Sequence, residues 1–191
     1  MIGVGLTRIF RDTRSFLEER LSEPEAPSTL FVRFVTPLVL IRSVAVLLRG
    51  LLIGDPAAGI VLALGNFVLQ MGVWLAISFA LPVLVKQFGS RMDDQGGFAV
   101  MSYASVPLWL AGALYIVPEE PPFTFFWSRS LVAACAGFGV YVLYRGFQVL
   151  EIRRKSILVP AVVVGYSITY LFLFGLVGLS STILLLIVRA S

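Results

Sequence analysis

The chain has 191 residues, of which 58% are hydrophobic and 14% carry a charge, and its formal net charge is +4. Soluble domains contain about 25% charged residues, so this composition excludes an ordinary soluble protein and indicates a chain that lies mostly in lipid. The absence of histidine excludes imidazole-based catalytic triads, and the single cysteine, Cys135, excludes a disulfide framework within the chain.

Residues 1–29 form the only sizeable non-apolar stretch, and their pattern predicts an amphipathic helix. Charged residues alternate there with apolar residues at helical spacing, which are Leu6, Ile9, Phe10, Phe16, Leu17 and Leu21. The helix must end before Pro24, because proline cannot continue it. We expect this segment to lie on the membrane surface or to pack under a helical bundle.

Five apolar segments follow, each long enough to cross a bilayer, since a spanning helix needs about 20 mainly apolar residues. They cover about residues 30–53, 57–85, 98–117, 128–149 and 158–188. The predicted fold is therefore all-α. It is a polytopic membrane helix bundle with five transmembrane helices in residues 30–191, preceded by the amphipathic segment of residues 1–29.

The positions of lysine and arginine predict the orientation in the membrane. The loops at residues 54–57 and 118–127 contain neither residue. The N-terminal segment and the other two loops contain Arg8, Arg11, Arg14, Arg20, Lys86, Arg91, Arg153, Arg154 and Lys155. Because cytoplasmic loops are enriched in these residues, we expect a cytoplasmic N-terminus and an external C-terminus.

A polar patch is predicted near the middle of the first two spans. Arg42 falls in the centre of the first span, where an arginine costs about 2.5–3.5 kcal/mol on insertion scales. None of the five apolar segments contains an acidic residue to pair with it. Asn66 and Gln70 share one face of the second span. Either this patch contacts a substrate or lipid headgroup, or Arg42 reaches an interface and the amides only pack.

The third span contains hydroxyl groups and a proline, in the residues Ser102, Tyr103, Ser105 and Pro107. Pro107 has no N–H, and its ring clashes with the carbonyl of Tyr103. In lipid, such a freed carbonyl must be satisfied by neighbouring helices, hydroxyl groups or buried water. We therefore expect the three hydroxyl-bearing side chains to face protein around a kink, and we include all four residues in the candidate site.

Two stretches resemble the Yip1-domain family. The third span, SYASVPLWLAGAL, is similar to the family's Tyr-x-x-x-Pro span, here Tyr103 and Pro107. The stretch VYVLYRGFQVLEIRRKSILVPAVVVGYSITYL resembles its fourth span, basic loop and fifth span, here Gly146 and Lys155, although Ser156 stands where bacterial members often have alanine. The resemblance implies a five-span membrane bundle, in bacteria an inner-membrane protein. Eukaryotic relatives act in vesicle trafficking with small prenylated GTPases, and the family has no established catalytic residues.

We expect a non-enzymatic role in membrane organisation, as a trafficking-type adaptor or an accessory subunit of a membrane complex. The alternative is a small transporter, channel or lipid-moving protein that uses the patch around Arg42, Asn66 and Gln70. The acidic pairs Asp93–Asp94 and Glu119–Glu120 are interpreted as solvated loop charges, so no catalytic residues, metal site or cofactor are expected. The expected partners are membrane lipids and a protein, or further copies of this chain, but not nucleic acid.

Overall fold

A computed structural model describes residues 2–116 and 123–190, and these residues fold into helices without any strand. We number the helices in chain order. They are α1 Ile2–Arg11, α2 Thr13–Ser22, α3 Pro27–Leu52, α4 Pro56–Gln87, α5 Asp94–Ile116, α6 Phe123–Val149 and α7 Lys155–Ala190. Helices α3 to α7 are long and apolar enough to span a membrane. The predicted all-α membrane bundle with five spans is therefore confirmed.

The N-terminal segment forms two helices where the sequence predicted one. Asp12 interrupts the helix, because its side chain accepts a hydrogen bond from the Ser15 N–H at 3.2 Å and so caps α2. The buried side chains of the two helices, Ile9, Phe16, Leu17 and Leu21, join the core of the bundle. Of the two predicted positions, packing under the bundle is the one observed.

Helices α3 and α4 form a tight antiparallel hairpin. Gly54 in the connecting turn has φ +77°, a conformation that glycine adopts without strain. Asp55 then caps α4 by accepting the Ala58 N–H at 3.0 Å. Gly50 and Gly59 bring the two backbones so close that a Cβ added to either would overlap the other helix. The predicted loop at residues 54–57 therefore positions both spans.

Helix α5 lies at the centre of the bundle and is buried along almost its whole length. It begins at Asp94 rather than at the predicted residue 98, because the Asp93 carboxylate accepts the Gly96 N–H at 2.9 Å and caps the helix. The last turn, Gly112–Ile116, tightens into a 3₁₀ helix. Asp93 thus has a structural role at the end of the bundle opposite the α3–α4 turn.

Helix α7 lies at the edge of the bundle. Residues 88–93, the 90-loop, and residues 150–154, the 150-loop, meet at the end of the bundle opposite the α3–α4 turn. There the Arg153 N–H donates to the Ser90 hydroxyl at 2.9 Å. From there α7 runs back alongside α4, and only 6% of its most apolar window is buried. An uncovered helix of this composition needs an apolar solvent. The chain is an integral membrane protein.

Candidate functional site

The first two spans, α7 and the end of α5 line a cavity of about 560 Å³, which we call the Arg42 cavity. It extends along α7 from Phe174 to Leu185 and along the α3–α4 hairpin as far as the turn. Most of its wall is aliphatic, and its polar lining includes Arg42, Arg49, Asn66, Tyr115, Ser181 and Thr182. A largely apolar cavity with a few convergent polar groups is typical of a ligand site.

Arg42 is held at the inner end of this cavity by aromatic rings. Its guanidinium carbon lies 4.1 Å from the centre of the Tyr115 ring, a cation–π contact. Its Nη2 donates a long hydrogen bond of 3.5 Å to the Tyr170 hydroxyl. Its Nε is buried and has no hydrogen-bond partner. Among residues 2–116 and 123–190, no carboxylate pairs with Arg42.

The position of Arg42 along α3 can be compared with the thickness of a bilayer. Arg42 lies ten residues before Leu52, which places it about 15 Å from the turn end of α3 at the rise of an α-helix. Asn66 lies ten residues after Pro56 and is at a similar depth. Half of a hydrocarbon core is also about 15 Å thick. Arg42 therefore lies near the middle of α3 and borders the cavity inside the bundle.

The two amides predicted beside Arg42 have different surroundings. Asn66 lines the cavity and donates to the Ser43 hydroxyl at 3.2 Å, so it connects α4 to α3. Gln70, one helical turn further along α4, is 2% exposed, and its Nε2 has no hydrogen-bond partner among the described residues. Gln70 does not line the cavity. The structure therefore brings Arg42 and Asn66 together and separates Gln70 from the cavity wall.

The four candidate residues on α5 lie apart from Arg42. Ser102 is fully buried, accepts the Trp74 indole N–H at 3.2 Å and donates to the Phe98 carbonyl at 2.7 Å. This hydroxyl therefore does not satisfy the Tyr103 carbonyl, which was one of the partners expected from sequence. Pro107 is buried within the helix. All three hydroxyl-bearing residues are buried, as expected.

Tyr103 packs against the N-terminal segment and the start of α3. Its ring makes edge contacts with Phe16 at 5.2 Å and with Phe34 at 5.3 Å between ring centres. Such aromatic pairs contribute about 0.5–1.5 kcal/mol beyond the burial of their area. The tyrosine of the family-like motif therefore joins three helices of the bundle. Its surroundings are those of a core residue.

Ser105 lines a second, smaller cavity of about 240 Å³ between α5, α6 and α7, which we call the Ser105 cavity. Its walls are mostly apolar, and hydroxyl groups of Ser105, Tyr166 and Ser167 are the polar side chains that line it. Gly139 allows α6 to approach α5 at this level, because a Cβ there would lie 2.6 Å from the Ala104 carbonyl oxygen. The sequence did not indicate this cavity.

Sequence reasoning also missed the aromatic residues around Arg42. Tyr115 lies near the end of the third span, where an interfacial ring is the usual interpretation. Trp109 has a similar position in sequence, yet the structure buries it in the core. Tyr170 shows no signal in sequence, because it stands within an apolar segment 128 residues from Arg42. Only the packing of the third and fifth spans against the first reveals these partners.

A metal site would need several histidine, cysteine or acidic side chains close together. The described residues hold no group of three histidine, cysteine or acidic side chains that could bind a metal ion. Asp93 caps α5, as described above, and the Glu119–Glu120 pair lies outside the described residues. The polar groups that line the Arg42 cavity are guanidinium, amide and hydroxyl groups.

A family model for the Yip1 domain matches residues 7–177 of the chain. The chain belongs to the Yip1-domain family. The matched region includes Arg42, Tyr103, Pro107 and Tyr170, and it confirms the resemblance seen in the sequence. No curated protein and no solved structure matches the chain.

Proposed function

We propose that this Yip1-domain protein is a non-enzymatic, membrane-organising protein that holds an anionic, phosphate-bearing group at Arg42. The proposal depends on the Arg42 guanidinium, which borders the cavity. Its Nε is buried and lacks a hydrogen-bond partner, and no carboxylate of the described residues pairs with it. A membrane lipid headgroup and free phosphate both offer this chemistry.

The energetics favour an anion at this position. A buried donor that lacks a partner costs about 1–3 kcal/mol, and more when it is charged. The face of the Tyr115 ring attracts the cation, but the ring is not a strong hydrogen-bond acceptor for the N–H groups at the edge of the guanidinium. A phosphate accepts parallel N–H bonds from one guanidinium and neutralises its charge. Asn66, at a similar depth across the cavity, supplies amide hydrogen-bonding groups for the remaining oxygens.

The experiment measures binding to the purified full-length protein by native mass spectrometry. Two probes are used separately: a short-chain phosphatidylglycerol and inorganic phosphate. Arg42→Ala is compared with Arg33→Ala, which removes the same charge from an exposed position on α3 outside both cavities. We expect Arg42→Ala to weaken binding at least about tenfold, because a hydrogen bond to a charged group contributes about 1.5–3 kcal/mol.

The control variant should bind as the wild type does. Retention of phosphatidylglycerol but not inorganic phosphate would identify a lipid headgroup, and the reverse would identify a free anion. If the wild type binds neither probe, or if both variants bind equally, the proposal is wrong.

A second candidate role is that of an adaptor or accessory subunit in a membrane complex. The observation that favours it is the nearly uncovered helix α7, whose outward face carries large apolar side chains such as Leu171, Phe172 and Leu186. In a complex, another membrane helix would cover this face. Purification in mild detergent should then bring down a stoichiometric protein partner. A monomer or a homo-oligomer without such a partner would contradict this role.

We further propose that the protein resides in a bacterial inner membrane with its N-terminus in the cytoplasm. The basic residues of the 90-loop and the 150-loop lie together at one end of the bundle, which supports this orientation. A phosphatase reporter fused after Ser191 should be active outside the cytoplasm, and the same reporter fused to the loop at Arg91 should be inactive. The opposite result at either site would contradict the orientation.

A further inference from the structure

The two cavities lie one after the other along helix α7. The Ser105 cavity is lined by α7 residues 162–167, and the Arg42 cavity by α7 residues 174–185. Together this stretch rises about 35 Å, close to the ~30 Å thickness of a hydrocarbon core. The Arg42 cavity extends to the α3–α4 turn, whereas the Ser105 cavity lies toward the 150-loop. The cavities therefore occupy opposite halves of the bundle.

A ladder of aromatic rings on α7 separates the cavities. Tyr166 lines the Ser105 cavity, Phe174 lines the Arg42 cavity, and Tyr170 lies between them. The rings are stacked, with centres 6.5 Å apart for the first pair and 6.1 Å for the second. The Tyr170 hydroxyl is also the hydrogen-bond partner of Arg42. The guanidinium therefore contacts the middle ring of the ladder from the side of the Arg42 cavity.

Both cavities open sideways to the lipid. The rim of the Arg42 cavity includes Ile53, Leu62 and Phe174, which are exposed on the outside of the bundle. The rim of the Ser105 cavity includes Ala136 and Ser167, which are exposed in the same way. A molecule whose polar part enters either cavity can therefore leave its apolar part in the bilayer. A free anion has no need of such side openings.

We propose that the two cavities form a path along which a phospholipid headgroup crosses the bilayer, with Arg42 as the central binding point. This inference rests on the proposed binding at Arg42. The acyl chains stay outside in lipid, while the headgroup exchanges hydrogen bonds with Ser181 and Thr182 in one half and with Ser105 and Ser167 in the other. The free-energy cost of moving a charged headgroup into hydrocarbon without polar contacts is very high. A path with polar contacts lowers this cost and therefore accelerates the crossing of the lipid.

The aromatic ladder acts as the gate of this path. With Tyr166 and Tyr170 stacked, the rings separate the cavities, so a headgroup at Arg42 can pass only when these side chains change rotamer. Rotamer changes of this kind are thermal motions and need no energy source. The path therefore equilibrates lipids between the leaflets and does not pump them.

The test is a leaflet-exchange assay in vesicles that contain the purified full-length protein and a fluorescent phosphatidylglycerol. An impermeant reductant bleaches the outer leaflet, so movement of lipid appears as bleaching beyond half of the signal. Arg42→Ala should slow the protein-dependent exchange at least about tenfold, the effect of one lost charge-assisted contact. Arg33→Ala should exchange lipid at the wild-type rate.

Two blocking variants test the path without changing Arg42. Gly178 lines the Arg42 cavity, and a Cβ there meets nothing within 4 Å, so Gly178→Phe should fill the cavity and stop exchange. Gly175→Phe is its matched control, because Gly175 has the same open surroundings on α7 but does not line a cavity. Ala136→Phe should block the Ser105 cavity, with Ala133→Phe as the exposed control.

The outcomes separate this inference from the proposed function. If the wild type binds phosphatidylglycerol at Arg42 but does not accelerate exchange, the path is wrong and the binding role stands. If exchange occurs but Gly178→Phe and Ala136→Phe behave as their controls do, the path is also wrong. Flux of inorganic phosphate without lipid exchange would mean that the protein conducts a free anion and that the lipid path is wrong. Circular dichroism of each variant shows whether it is folded.

Discussion

At the scale of single residues, polar groups inside the spans fall into two kinds. Ser102 has its hydroxyl bonded to Trp74 and to the Phe98 carbonyl, and it is closed off from both cavities. Arg42 has most of its donors unbonded and borders a cavity. A group with all its bonds made stabilises the fold, whereas an unsatisfied charge next to open space is a candidate for binding.

We predict that Ser102→Ala destabilises the protein by about 1–3 kcal/mol, because the buried Trp74 indole N–H loses its acceptor. The measurement is the free energy of unfolding in detergent, together with Trp74 fluorescence in a variant in which the other two tryptophans are replaced. Ser180→Ala is the control, since its hydroxyl makes the same bond to a carbonyl four residues earlier, but at an exposed position. Equal effects of the two substitutions would contradict the prediction.

At the scale of helices, the α3–α4 hairpin depends on the absence of side chains at its closest point. A Cβ on Gly59 would lie 3.1 Å from the Leu47 carbonyl oxygen and 3.0 Å from the Gly50 Cα. Small residues of this kind let membrane helices pack through their backbones. The same register sets Asn66 opposite Ser43, where the amide donates its hydrogen bond. The glycine contact near the turn therefore helps to position the polar wall of the Arg42 cavity.

We predict that Gly50→Ala destabilises the protein by about 1–3 kcal/mol, because the added methyl group must push α3 and α4 apart. Thermal unfolding in detergent measures the effect, and anion binding at Arg42 should weaken as the hairpin opens. Gly175→Ala serves as the control: its Cβ meets nothing within 4 Å, so it should be neutral or slightly stabilising. A neutral Gly50→Ala would show that the hairpin can adjust at no cost.

At the scale of the whole molecule, the edge helix α7 is attached at both ends. Near the 150-loop it follows a turn that is bonded to the 90-loop, and at the other end Arg189 pairs with Asp55 in the α3–α4 hairpin. Between these points α7 packs mainly on α4 and lines both cavities. A helix that is fixed at its ends and uncovered along its length is suited to local movement at the cavities.

The ion pair between α7 and the hairpin predicts a dependence of stability on pH. The Ala58 N–H, and after it the Arg189 guanidinium, hold the pKa of Asp55 below its ordinary value of 3.8. A lowered pKa means that the charged form stabilises the fold at pH values above 3.8, and that this contribution disappears as the pH falls through the folded-state pKa.

The variant Asp55→Asn isolates the charge, because asparagine still caps α4. We predict that it unfolds at a lower temperature than the wild type at neutral pH, and that the difference shrinks as the pH falls below 3.8 and through the folded-state pKa of Asp55. Thermal unfolding in detergent over this pH range provides the measurement. Arg189→Gln should show the same trend. A difference for Asp55→Asn that is independent of pH would contradict the role of the charge.

The number and type of helices could be predicted from the sequence, because each span is an apolar run whose length is set by the bilayer. The ends of the helices were less predictable. The side chain of Asp12 divides the N-terminal helix, and that of Asp93 starts α5 before the apolar run begins. A helix cap depends on one side-chain hydrogen bond, and a hydropathy profile does not detect it.

The candidate site was predicted only in part. Arg42 and Asn66 meet at one cavity, whereas Gln70 and the buried α5 residues Ser102 and Tyr103 are separated from it by packing. Ser105 belongs to a different cavity that had no signal in the sequence. Periodicity shows which residues share a face of one helix, but it does not show which helix that face meets.

The sequence alone determined that this chain is a five-span, all-α membrane protein of Yip1 type. Each span can be recognised from its own residues, because lipid requires a stretch of about 20 mainly apolar residues with few charges. Only the tertiary structure decided that Arg42 contacts Tyr115 and Tyr170 and borders a cavity between the first two spans and α7. These partners come from the third and fifth spans, and contacts across such distances along the chain depend on how the helices pack.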